Sequence, residues 1–119
     1  MDGFQESFAV VLAVGEANGG AFQTVPAGVV AVIEHVSVHA TGGGAGNADY
    51  FFTSTLTDTS AFREVPIVTN LGPTGAVVGS HRCRAYANQS TEFGGVIRRL
   101  NTSGDIRATI ILAGHFVTP

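Results

Sequence analysis

The chain contains no lysine and no tryptophan, has one cysteine, and carries charge at only 13% of its 119 positions. Each shortage excludes something. With Cys83 alone, no intrachain disulfide can form, and a reducing compartment is permitted without being required. Stability must then come from packing. A chain of this length is one domain, residues 1–119, and buries roughly two-thirds of its unfolded surface, so it needs neither a disulfide nor a metal to fold. Ordinary domains carry about 25% charged residues. This surface must instead be built from Thr, Ser, Asn and Gly. All six basic residues are arginine. Lysine is a common guard of exposed strand edges, so a lysine-free sheet protein must cover its edges with loops or with another subunit.

Other absences narrow the partners. A net charge of −3 gives no electrostatic footprint for nucleic acid. The longest apolar run, Phe8 to Val14, is far too short to span a membrane. The opening Met1-Asp2-Gly3-Phe4-Gln5-Glu6 lacks the basic stretch of a secretory signal. That points to a cytoplasmic protein or a mature, processed chain. The glycine-rich Gly42-Gly43-Gly44-Ala45-Gly46-Asn47 is followed by neither Lys-Ser/Thr nor a helix pattern, so it is not a phosphate-binding loop.

What is present reads as strands. Pro26 and Gly28 in Thr24-Val25-Pro26-Ala27-Gly28 set a turn. The β-branched run Val29 to Ala40 that follows is a long central strand. Ser7 to Val14 places Phe8, Val10, Leu12 and Val14 on one face, and Gly15 to Gly20 turns the chain into a short strand, Ala21 to Val25. Ala48 to Thr57 alternates, with Tyr50, Phe52 and Leu56 opposite a row of threonines. Phe62 to Thr69 contains Pro66 and reads as an edge strand, followed by a loop from Asn70 to Gly75. Ala76 to Ala87 is another long strand, turned by Asn88-Gln89-Ser90. Glu92 to Leu100 and Asp105 to Val117 read as a hairpin across Asn101-Thr102-Ser103-Gly104. About eight strands in this length predict an all-β fold, a two-sheet antiparallel β-sandwich of jelly-roll type, with a closed barrel as the alternative.

Thr24-Val25-Pro26-Ala27-Gly28, Val32-Ile33-Glu34-His35-Val36-Ser37, Arg84-Ala85-Tyr86-Ala87-Asn88 and Gly114-His115-Phe116-Val117 together resemble small bacterial β-rich proteins with this turn-and-strand layout. The resemblance spans Gln23 to Val117. It implies a β-rich fold and no catalytic residues.

The candidate chemistry rests on few side chains. His35 and His39 lie on one strand face about 13 Å apart, too far to share an ion. The H-x-H pair that a cupin-type metal site needs is absent. His35, His81 and His115 are weak metal candidates only if strands bring them together. Glu34 falls on the face of Val30, Val32, Val36 and Val38, so it needs an arginine partner, Arg82 or Arg84, or a bulge that turns it outward. Cys83 and His81 share a face with Cβ atoms about 7 Å apart, and Cys83 reads as a buried structural thiol. Arg82, Arg84 and Tyr86 share a face that suits an anion or a sugar. Arg98 and Arg99 point to opposite faces and make no patch. Asn88-Gln89-Ser90 and Asn101-Thr102-Ser103 match the glycosylation pattern by chance, with no secretory signal beside them.

The sequence thus predicts a non-catalytic structural or assembly module that forms a homo-oligomer and takes no cofactor. One alternative is a binding module for carbohydrate or another small polar ligand. The other is a metal-dependent, cupin-like enzyme using Glu34, His35 and His81 or His115.

Overall fold

The computed structural model describes residues 3–42, 48–56, 59–64, 67–71, 76–99, 102 and 104–118, and within 48–76 the description is of the backbone. Nine strands are present among these residues: β1 (Gly3–Leu12), β2 (Asn18–Thr24), β3 (Val30–Gly42), β4 (Ala48–Leu56), β5 (Thr59–Glu64), β6 (Ile67–Leu71), β7 (Ala76–Ala87), β8 (Glu92–Arg99) and β9 (Ile106–Val117). They form two sheets, ordered β1-β9-β3-β7-β6 and β2-β8-β4-β5. Every pairing is antiparallel. The described residues include no helix, and so none long and apolar enough to cross a membrane. The protein is an all-β, two-sheet molecule.

Period-two alternation places the core between the sheets. Phe8, Val10 and Leu12 of β1 are buried, as are Ile106, Ala108, Ile110 and Leu112 of β9 and Phe93 and Ile97 of β8. Full burial of each large apolar side chain contributes roughly 1.5–3 kcal/mol. Phe93 is the largest fully buried side chain, and Phe4 and Phe8 each meet its ring edge-on at 5.7 Å. The turn before β3 is tied to the β7–β8 connection. Gly28, at φ 84°, donates its N–H to Gln89 Oε1 at 2.6 Å, and Val25 exchanges backbone hydrogen bonds with Ser90 and Thr91.

Several expectations need correction. β1 begins at Gly3, and Val14 lies beyond its end in a turn, 69% exposed rather than in the core row. Asn18 to Gly20 belong to β2, and Thr41 and Gly42 to β3. The single edge strand Phe62 to Thr69 is two strands, β5 and β6, in different sheets, which raises the strand number to nine; Asn70 and Leu71 belong to β6. The facial assignments of Tyr50, Phe52, Leu56 and the threonines, together with Pro66, residues 43–47 and 72–75, and Asn101, lie outside the described residues.

The largest correction concerns the C-terminal pair. β8 and β9 do not form a hairpin; β8 pairs with β2 and β4, and β9 with β1 and β3. Both strands have a buried face, and those faces meet across the core instead of along an edge. Gly95 makes the stacking close, since a Cβ there would overlap the Ile110 Cδ1 methyl. The connection is held by Arg99, which ends β8 on its inner face and is 2% exposed. Its guanidinium donates to the carbonyl oxygens of Glu16, Gly104 and Ala13, each at 2.8 Å, and to Thr102 at 3.4 Å. A single charged fork thereby binds the β1–β2 turn to the β8–β9 loop.

Candidate functional site

The outer face of the five-stranded sheet carries Glu34, His35, Arg82, Arg84, Tyr86 and His115, and an irregularity in β3 arranges them. Ile33 pairs with Gly114 on one side and Ala85 on the other; Val36 pairs with Leu112 and His81. Between these two rungs β9 advances two residues, β3 three and β7 four. The sheet fans open at this point. Glu34 is the extra residue of β3 relative to β9, and the bulge turns it outward. Inward positions therefore change parity along β3, from Ala31 and Ile33 to Val36, Val38 and Ala40, all buried. Of the two readings of Glu34, the outward bulge is the observed one. Among the described residues no ion pair joins it to Arg82 or Arg84. Its partner is His115, with Nδ1 at 2.6 Å from Oε1. A carboxylate only accepts, so the proton of this bond sits on Nδ1. The two side chains are 34% (His115) and 46% (Glu34) exposed.

Gly114 makes the bulge fit. A Cβ there would overlap the Val32 carbonyl oxygen, so the β9 backbone passes directly under the turned-out residue.

Two rungs border the bulge on the outer face. One runs Gln5, Ala113, His35, Arg82 across β1, β9, β3 and β7; the next runs Gly3, His115, Val32, Tyr86. Between them lies a shallow, open cleft of about 690 Å³, lined by Gly3, Phe4, Gln5, Glu34, His35, Arg82, Ala113 and Gly114. The small residues Gly3, Ala113 and Gly114 leave the space, and the polar side chains ring it.

The predicted residues divide accordingly. Glu34, His35 and Arg82 meet in the cleft, with His115 attached through Glu34. Arg84 and Tyr86 are exposed on the same outward face of β7 as Arg82 but do not line the cleft. His81 lies at an inward position opposite Val36, away from His35 and His115. No group of three or more His, Cys, Asp or Glu among the described residues is placed to hold a metal ion. Cys83 is partly buried against the core and its Sγ donates to Ile33 O at 3.7 Å. Gln5, Ala113 and Gly114 were not legible as site residues, because cross-strand register alone brings them to the cleft. Arg99 had a signal: Phe93, Ile97 and Arg99 share one face, and a charge at the end of an inward row requires backbone acceptors.

No protein-family model matches the chain, and no curated protein matches it in sequence. Among solved structures the chain is similar to a virus-like particle of the extra small virus of the giant freshwater prawn, Macrobrachium rosenbergii. The TM-score is 0.33 and the identity 13%, over 95% of this chain and 80% of that one.

Proposed function

We propose that the chain is a non-catalytic structural module, a jelly-roll-type β-sandwich that assembles with copies of itself along the free edge of β1. The jelly-roll reading is supported by the nesting of the pairs: β1 with β9, β2 with β8, β3 with β7, β4 with β5, with β6 added beside β7. The assembly reading is carried by β1. It is an outermost strand, it runs ten residues with an unbroken register against β9, and it bears one charge, Glu6. It has no proline, lysine or bulge, the usual devices that blunt an edge. Val11 stands 60% exposed on its outer side. The opposite edges are different: β5 has six residues, and β6 has five with a break in register between Ile67 and Thr69. Among the described residues two regular edges stand open, β1 and the seven-residue β2 of the other sheet; β1 is the longer, and a second copy of β1 in antiparallel register satisfies its backbone groups.

The test is solution mass by light scattering after size exclusion, at two protein concentrations, for the parent chain and for an Ala9→Lys, Val11→Lys double variant. A discrete multimer that survives dilution and falls to 12 kDa in the variant is expected. A parent chain that elutes as a 12 kDa monomer at both concentrations overturns the reading, as does a multimer unmoved by the lysines.

A further inference from the structure

The cleft on the five-stranded sheet holds two opposite charges that do not neutralise each other. Arg82 and Glu34 line the same opening, yet no ion pair forms between them. The fanned register is the reason. It gives Glu34 to the β9 side, where His115 takes Oε1, and leaves Arg82 on β7 beside His35. His115 on β9 draws the Glu34 carboxylate to one side of β3, while Arg82 stands on β7, the strand on the other side.

We propose that this cleft binds a small zwitterion, an α-amino acid with an aliphatic side chain. Its carboxylate takes the guanidinium fork of Arg82, with the His35 ring alongside. Its ammonium takes Glu34 Oε2, the carboxylate oxygen that His115 leaves open. The His115 bond fixes the carboxylate so that it need not be ordered on binding. Gly3, Ala113 and Gly114 leave room between the anchors for an aliphatic side chain. A plain anion would meet Glu34 across the cleft, and a plain cation would meet Arg82. Only a ligand carrying both charges satisfies both walls. Gly3, Phe4 and Gln5 of the cleft belong to β1, but the charged anchors Glu34 and Arg82 lie on β3 and β7, so binding lost in Arg82→Ala at an unchanged solution mass separates this proposal from the assembly reading.

The experiment is an amide NMR titration of the whole chain with leucine and valine, set against isovalerate and isobutylammonium, which each carry one of the two charges. Saturable shifts are expected at Gly3 to Gln5, Glu34, His35 and Ala113 to Gly114. The affinity for the amino acids should exceed that for either half-ligand on the order of tenfold or more. Arg82→Ala and Glu34→Gln should each weaken it several-fold, while Arg107→Ala, on the same sheet but outside the cleft, should not. Equal binding of isovalerate would make this an ordinary anion site and overturn the proposal. So would the absence of saturable shifts up to the solubility limit of leucine, or shifts that Glu34→Gln leaves unchanged.

Discussion

Replacing Arg99 by alanine tests whether one side chain holds two distant loops together. The guanidinium makes three hydrogen bonds of 2.8 Å and a longer one of 3.4 Å, all to backbone carbonyls of the β1–β2 turn and the β8–β9 loop. A hydrogen bond from a charged donor contributes about 1.5–3 kcal/mol net. Ala13 and Glu16 lie in an exposed turn where water replaces the lost donor, so the lower end of that range applies to them. Gly104 and Thr102 are more enclosed. Together the loss should reach about 3–5 kcal/mol, because each enclosed carbonyl left without its donor adds its own desolvation cost. That is a large share of the roughly 5–15 kcal/mol available to a domain of this class. Lysine has three donors and no planar fork, so Arg99→Lys should recover less than half. Urea unfolding followed by circular dichroism gives the midpoint and slope. A loss below about 1 kcal/mol for Arg99→Ala, with an unchanged slope, would refute the claim that the fork joins the loops.

Two further substitutions test the packing around the core and the bulge. Phe93→Ala removes the fully buried ring that Phe4 and Phe8 meet edge-on; a loss of about 3–5 kcal/mol is expected by the same denaturation assay. Gly114→Ala forces a methyl against the Val32 carbonyl. It should cost about 1–3 kcal/mol and shift the His115 side-chain resonances, because the bulge that presents Glu34 must move; unchanged resonances would show that the bulge does not depend on this close approach.

The strands were largely legible because their signals are local. Period two in Phe8, Val10 and Leu12, and again from Ile106 to Leu112, names a buried face without any knowledge of the partner. The turn at Pro26 and Gly28 is written in its own residues. What the sequence hides is pairing. Nothing in Glu92 to Val117 distinguishes two strands joined edge to edge from two strands stacked across a core. The sign of stacking was Gly95, a missing side chain where a facing Ile needs room. The candidate site was half legible. Glu34 was conspicuous as a carboxylate in a row of valines, and a bulge was one of its two solutions. Its partner, 81 positions away at His115, follows only from the β3–β9 register. Arg82, Arg84 and Tyr86 do share a face, but the fan between Ile33 and Val36 selects Arg82 alone for the cleft.

The place of β9 has a consequence for how the chain reaches its native state. β9 runs between β1 and β3, so two ladders of the five-stranded sheet wait for the strand made after all the others. During synthesis β1 has no neighbour in its own sheet until some hundred later residues have emerged, and its Phe8 waits for Phe93 of β8. Loop closure on that scale is slow relative to local hairpin formation. The interval is also the one in which an unpaired, lysine-free edge is most exposed to other nascent chains. Under the assembly proposed for the β1 edge, the chain meets its own copies twice, once as an incomplete sheet and once as a finished edge, and only the order of events separates assembly from aggregation.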